Sequence, residues 1–476
     1  MEEYNYDALC STIKFEDITS SKSNQNILRR LKENDIDKLW ICDEETTDGD
    51  TRDYIPLDNE NDMGWLGYFI GNNTSLKEFR FLTLAINYPK ALCRGMNNNQ
   101  SIMKIGFYHA NEIYFGIFRM LDPFFKSNHN LIEILMSDCS LMDKDVRLLS
   151  LALGSFKSLK KIRLEDNEMG DGQLVDIIFT LSAQPQLEKL DLLGMNVGRN
   201  ECTALASLLW NTTKHLHTLN LGRNNIDDEG VETLVHALSG CNQLQELSFS
   251  CNRSITARGW ETVSTLLERP DSNLKELFLC SNSLGNEGAL MFANALRINT
   301  KLKHLNLPGN GISREGWTSF SKLLCDTSSV NNMYLSNHTL GNLGMRDVSA
   351  DVRSYLDLNR SSENKRKIAM TKILCHNSHI NMQPFFEWEL KVLPLIVTWL
   401  EKATACTTEF DEQIRKMKLS CIYDFVREFP MLYIEPVTRK EIEEFSVLEI
   451  RLQRKSQQAE LKDVQKCKTR AMRRLF

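Results

Sequence analysis

Cys375, His376 and His379, in the stretch CHNSH, have side chains that bind borderline metals. A structural zinc site takes four ligands, and no second cysteine or histidine pair stands at short spacing, so no metal is expected there. The chain has no GxxxxGK[ST] phosphate loop, no HExxH helix, no GxSxG elbow and no kinase motif set. Neither a cofactor nor catalysis is expected from residues of these types. The chemistry left is that of contact. Trp40, Arg80, Leu135, Arg163, Asp191, Asn220, Ser248, Phe278, Asn306 and Tyr334, together with Gly106, recur at nearly even intervals, with Arg223 beside them. Aromatic residues and arginine are the types that most often anchor protein interfaces.

Each residue of that row stands inside a short alternating apolar run, as the middle of "LHTLNLGRNNI" (216–226) shows. The first apolar residues of these runs are Leu131, Leu159, Leu187, Leu216, Leu244, Leu274, Leu302 and Val330, at intervals of 28, 28, 29, 28, 30, 28 and 28. "LKEFRF" (76–81), "IMKIGF" (102–107) and "IDKLWI" (36–41) extend the series upstream. Period-two alternation predicts a strand buried on one side. Asn224, Asn282 and Asn310 follow at the turn, where an asparagine side chain can bond backbone groups that the bend leaves unpaired. Cys139, Met195 and His338 stand in the asparagine position elsewhere, and His338 is expected to serve as a turn donor or acceptor. A helix should come next: Asp227, Asp228 and Glu229 suit its positive N-terminus, and Val231, Leu234, Val235 and Leu238 form a stripe at helical spacing. One copy cannot bury both its apolar faces, so copies must stack, strands in one parallel sheet and helices on its other side.

The complete pattern L-x-x-L-x-L-x-x-N-x-L, as in "LKELFLCSNSL" (274–284) and "LKHLNLPGNGI" (302–312), resembles the leucine-rich repeat, and the period resembles its ribonuclease-inhibitor-like subclass. The resemblance implies an α/β fold, a right-handed β-α leucine-rich-repeat solenoid (horseshoe), followed by a C-terminal all-helical region. Its binding surface would be the concave face, where the row from Trp40 to Tyr334 and Arg223 lie. The period and the "DEG" helix openings also resemble the Ran GTPase-activating proteins, which makes activation of a small GTPase the alternative. No nucleotide-binding module of an immune-type sensor is found in the sequence.

The expected organisation is an N-terminal cap over 1–35 and about 11 repeats over 36–345, with an acidic insertion at 42–64 read as a surface loop. A helical C-terminal cap would span 346–437, and a C-terminal helix with a basic tail 438–476. In the cap, "PFFEWELKVLPLIVTWLEKA" (384–403) and "FDEQIRKMKLSCIYDFVREF" (410–429) read as helices. Thr438 and Glu441 have capping-box spacing, and residues 451–476 hold nine Lys or Arg against Glu460 and Asp463. That tail suggests a third reading, a nuclear or cytoskeletal adaptor.

Over 476 residues the formal charge is −6, with no basic stripe, so nucleic acid is not expected as a partner. The most apolar stretch, "LKVLPLIVTWL" (390–400), is too short to span a bilayer, and the N-terminus has no apolar leader. The 13 scattered cysteines suit a reducing compartment. The expectation is therefore a monomeric, non-catalytic scaffold of the cytoplasm or nucleus, binding a protein and no small-molecule substrate.

Overall fold

The computed structural model describes residues 5–42, 53–55, 60–82, 89–108, 117–139, 141, 143–212, 215–344, 348–362 and 364–376. His379, the helices expected over 384–403 and 410–429, and the basic tail lie outside the described residues. The chain divides into two compact units. One comprises Met1–Ala295, Lys301–Ser313 and Leu343–Met345; the other comprises Leu296–Thr300, Arg314–Asn342 and Arg346–Phe476.

In the first unit the strands expected from the repeat, joined by one that was not, Asp53–Tyr54, form one parallel sheet. They are β1 (Lys38–Ile41), β2 (Asp53–Tyr54), β3 (Glu78–Phe81), β4 (Lys104–Tyr108), β5 (Glu133–Ser137) and β6 (Lys161–Glu165). Then come β7 (Lys189–Asp191), β8 (Thr218–Asn220), β9 (Glu246–Ser248), β10 (Glu276–Phe278) and β11 (His304–Asn306). The order is β11-β10-β9-β8-β7-β6-β5-β4-β3-β1-β2. Three short helices precede the sheet: α1 (Tyr6–Leu9), α2 (Phe15–Ile18) and α3 (Lys22–Lys32). From β2 on, one helix joins each strand to the next: α4 (Glu60–Asn72), α5 (Pro89–Met96), α6 (Ile117–Ser127), α7 (Asp143–Ser155) and α8 (Gln173–Leu181). The series continues with α9 (Arg199–Thr212), α10 (Asp228–Leu238), α11 (Ala257–Glu268) and α12 (Gly285–Ala295), and consecutive helices pack on one another. This is the β-α solenoid that the period implies.

The repeat pattern explains the core. Leu216, Leu219 and Leu221 are fully buried, and so are Val231 and Leu234 of the α10 stripe. Each such side chain contributes roughly 1.5–3 kcal/mol by leaving water. Asp227 caps α10, its carboxylate accepting the Gly230 N–H at 2.9 Å.

A ladder of asparagines ties the turns together. Asn224 gives Nδ2 to Leu192 O and Gly222 O and accepts the Val197 N–H. Asn167, at the asparagine position of its own copy and 28 residues after Cys139, accepts the Cys139 N–H and donates to Met136 O and Glu165 O. The residue just before the asparagine position is left-handed in copy after copy: Asp138 (φ 52), Asp166 (51), Gly194 (67), Arg223 (55), Cys251 (58), Ser281 (58) and Gly309 (73). Side chains resist that region by about 1–2 kcal/mol, yet only two of the seven are glycine. The conformation persists because these N–H groups extend the sheet ladder by one bond, as Arg223 N–H to Ser250 O at 2.8 Å.

Two expectations need correction. The insertion at 42–64 is not simply a surface loop. Asp53 and Tyr54 form β2, in register with Trp40 and Ile41, and both are buried. Asn24 of α3 pairs with the N–H and C=O of Ile55 as a strand would, and the Tyr54 hydroxyl donates to the Asp62 carboxylate inside α4. A run of polar letters concealed a sheet-edge segment because its partners come from elsewhere in the chain.

The copy expected at Val330 is not a strand. In the second unit Val330–Leu335 is a helix, α14, whose N-cap Ser329 accepts the Asn332 N–H at 3.0 Å. An i, i+3, i+5 apolar pattern in so short a run suits either element, and the cap decided it. The repeat phase resumes at Leu340. Asn337 gives Nδ2 to Leu296 O and Asn299 O and accepts the N–H groups of Thr339 and Leu340. Asn99 makes the same set three residues before Ile102. The second unit also holds α13 (Arg314–Leu324), α15 (Ala350–Ser361) and α16 (Lys365–His376). Among the described residues, no helix is long and apolar enough to cross a membrane, and the ten cysteines described there are free thiols.

Candidate protein-binding face

Burial alternates along strands such as β1, β6 and β8, and the side chains turned away from the helices form rows across the sheet. The central row is in register throughout: Trp40, Arg80, Gly106, Leu135, Arg163, Asp191, Asn220, Ser248, Phe278 and Asn306 are successive partners. Ten of the residues read from the repeat spacing are thus brought onto one face.

At the β1 end, the Arg80 guanidinium carbon lies 5.4 Å from the Trp40 ring centroid and 5.8 Å from that of Tyr108. Its Nη1 donates to the Tyr108 hydroxyl at 3.1 Å, and its Nη2 pairs with the Glu78 carboxylate. Gly106 makes room for this stack, since a Cβ there would stand 3.2 Å from the Tyr108 ring and 3.4 Å from Arg80 Cγ. Burial pushes the Tyr108 phenol up, against the opposing pull of Arg80. Cation–π contacts of this kind hold a long side chain flat and keep it partly dehydrated.

Charges of both signs fill the middle of the face. Arg163 approaches Glu165 at 3.8 Å and Lys189 approaches Asp191 at 3.9 Å. Asp191 accepts Asn220 Nδ2 at 2.8 Å, and burial pushes its carboxyl up while Lys189 and Arg163 pull it down. Burial, then the Asp191 charge, also raises Glu165. Arg223 is exposed and reaches across one intervening repeat to Asp166 at 2.8 Å. Gly194 leaves the gap for that pair, because a Cβ there would collide with the Asp166 carboxylate. At the β10–β11 end, the Phe278 and His304 rings meet edge to face at 5.1 Å, with Glu276 3.8 Å from His304.

Three of the expected contact residues are placed differently from the rest. Leu135 is 6% and Asp191 4% exposed, so both are mostly covered by their neighbours. Tyr334 belongs to α14 and lies outside the strand row, for the reason given above. Sequence reasoning missed Tyr108 and Glu78. Their signal was present, since each sits two residues from the central row on a strand, where side chains return to the same face. Of the CHNSH side chains described, Cys375 is exposed and His376 Nε2 lies 2.6 Å from the Tyr355 hydroxyl. His338, expected at a turn, bonds through Nε2 to Tyr334 O at 2.8 Å. Among the described residues no group of three His, Cys, Asp or Glu side chains could hold a metal ion.

A family model described as "Leucine Rich repeat" matches residues 213–235 and 299–321. Mouse (Mus musculus) ribonuclease inhibitor is 31% identical over 218 residues, 45% of this chain and 47% of that protein. "NACHT, LRR and PYD domains-containing protein 3" of Macaca mulatta is 30% identical over 220 residues, 45% of this chain and 21% of that protein. In both cases the match takes in less than half of the relative's length. A solved internalin from Listeria monocytogenes aligns with a TM-score of 0.34 and 14% identity, covering 63% of this chain and 93% of that one.

Proposed function

Because this chain is a leucine-rich-repeat protein of the ribonuclease-inhibitor-like kind, we propose that it is a non-catalytic scaffold that binds a protein partner on the sheet face opposite its helices. The observation that carries this reading is the in-register row from Trp40 to Asn306, with an arginine–aromatic stack at one end and Phe278 against His304 at the other. A wide face of this sort offers partly dehydrated anchors at its ends and paired charges of both signs between them. Mixed charge suits a protein surface more than a phosphate backbone, which would call for a basic stripe. The names of the relatives agree with a binding role, since one is an inhibitor of ribonuclease.

The reading is tested by photo-crosslinking from the full chain in cells, comparing wild type with an Arg80→Ala, Phe278→Ala double variant that remains folded by circular dichroism. Loss of the wild-type adducts supports the face; unchanged adducts at equal yield would remove it. A single-turnover GTP hydrolysis assay with small GTPases bears on the non-catalytic part. Acceleration by orders of magnitude would replace the scaffold reading with the GTPase-activating one.

A further inference from the structure

Lys372 is the one lysine among the described residues whose side chain is fully buried. It projects from α16, and its Nζ lies 2.6 Å from the carbonyl of Leu324, the last residue of α13. Two other groups complete the site: Asn337 O at 3.3 Å and His338 Nδ1 at 3.2 Å. The other ring nitrogen of His338 is 2.8 Å from Tyr334 O, which can only accept, so that nitrogen carries the proton. In a neutral imidazole Nδ1 is then an acceptor as well. Lys372 therefore faces three acceptors, the number of N–H bonds on an ammonium.

No carboxylate among the described residues pairs with this cation. What surrounds it is the Tyr355 ring, 5.7 Å from Nζ on α15, and the buried Cys325 thiol just after α13. The neighbouring Asp326 carboxylate is turned to the Ser328 hydroxyl and N–H. On α15, Asp351 accepts from the Ser321 hydroxyl. Tyr334 contributes its backbone carbonyl from α14, and on α16 itself Lys365 donates to Thr300 O and His376 meets Tyr355. Each protonation state therefore carries a cost. An ammonium satisfies all three acceptors but is a dehydrated charge without a counter-ion. An amine removes that charge but turns a lone pair towards one acceptor.

We propose that Lys372 is a proton-operated pin that fastens α16 to α13 and to the segment after α14, so that taking up a proton loosens α16. Burial lowers the Lys372 ammonium to about 7, against a slight opposing pull from Cys325, and lowers His338 to about 3. His338 thus stays neutral over the whole working range. Once α16 opens to water, Lys372 regains the proton affinity of an ordinary lysine. A group that binds its proton more weakly in the closed form than in the open one favours closure as pH rises, between the two pKa values. The opening equilibrium is expected to be highest below about pH 7 and to fall about tenfold from pH 6 to pH 8.

Hydrogen exchange on the full chain, corrected for the intrinsic pH dependence of amide exchange, reads this directly in peptides from α16. The wild type should gain about tenfold protection there between pH 6 and pH 8, while α10 does not change. Lys372→Met, isosteric and never charged, should abolish this pH dependence, whatever level of protection it leaves in α16. Lys372→Arg, always charged, should leave it weakly protected at both values. Equal pH dependence in wild type and Lys372→Met, or none in wild type, overturns the proposal. Should the variants fail to fold, the 13Cε resonance of Lys372 in labelled wild type still decides: a midpoint near that of free lysine would refute the pin.

Discussion

Asn252 donates its backbone N–H to Oδ1 of Asn282 at 2.6 Å, and Asn282 repeats the gesture towards Asn310 at 3.2 Å. The side chain of one repeat is thereby the hydrogen-bond partner of the turn before it. Asn282 also gives Nδ2 to Phe249 O and Leu279 O, each at 3.0 Å, and is 5% exposed.

Asn282→Ala should therefore cost about 2–4 kcal/mol, because two carbonyls and an N–H lose their partner out of reach of bulk water. Urea denaturation of the full chain measures it. A loss below about 0.5 kcal/mol would show that the ladder is geometry without energy.

Gly67 on α4 and Gly95 on α5 let two helices meet backbone to backbone. A Cβ on Gly95 would stand 2.1 Å from the Gly67 carbonyl carbon, and one on Gly67 would stand 2.3 Å from Leu92 O. Since backbone cannot swing aside as a side chain can, Gly95→Ala should destabilise by about 3 kcal/mol. Gly198→Ala, whose Cβ would meet only the Glu201 carboxylate at 3.4 Å, is the control and should be nearly silent.

The Asp191 carboxyl is held above its usual range chiefly by burial, with Lys189 and Arg163 opposing. An acid with a raised folded pKa lowers stability above its unfolded pKa, and the penalty fades as pH falls and the group is protonated in both states. Asp191→Asn keeps an oxygen for the Asn220 Nδ2 bond while removing the charge. Its melting midpoint should exceed that of wild type at pH 7 and converge with it at pH 3. An unchanged difference across that range would contradict the assignment.

Arg80, Phe278 and Tyr334 separate the face from the rest of the surface. With the crosslinked partner in hand, Arg80→Ala or Phe278→Ala should weaken binding by about 2 kcal/mol, as the loss of an interface anchor does. Tyr334→Ala, in α14, should leave it unchanged. Equal effects from all three, measured by calorimetry, would remove the sheet face from the interaction.

Much of this was legible in the letters. Leucine spacing near 28 residues announced the strands, the helices and the stacking, because burial of the L-x-L core is dictated by each copy's own pattern and repeated by its neighbours. The row from Trp40 to Asn306 followed from it, since period-two geometry leaves those positions outside the core. Left-handed turns at Asp138, Arg223 and Cys251 left no glycine signal, and only the ladder bond they complete explains them.

What the sequence alone determined is what local repetition controls: the period, the element types of the copies up to β11 and the identity of the outward row from Trp40 to Asn306. Only the tertiary structure decided where a residue's fate depends on groups distant in the chain. Asp53 and Tyr54 became a strand because Asn24 and Asp62 were there to receive them. Leu135 and Asp191 lost their exposure to neighbouring strands. Lys372, which reads in sequence as one more charge on a helix, is buried because Leu324, Asn337 and His338 supply acceptors from 34 to 48 residues away. Spacing along the chain encodes periodic contacts; it does not encode such single ones, whose energy depends on three-dimensional position.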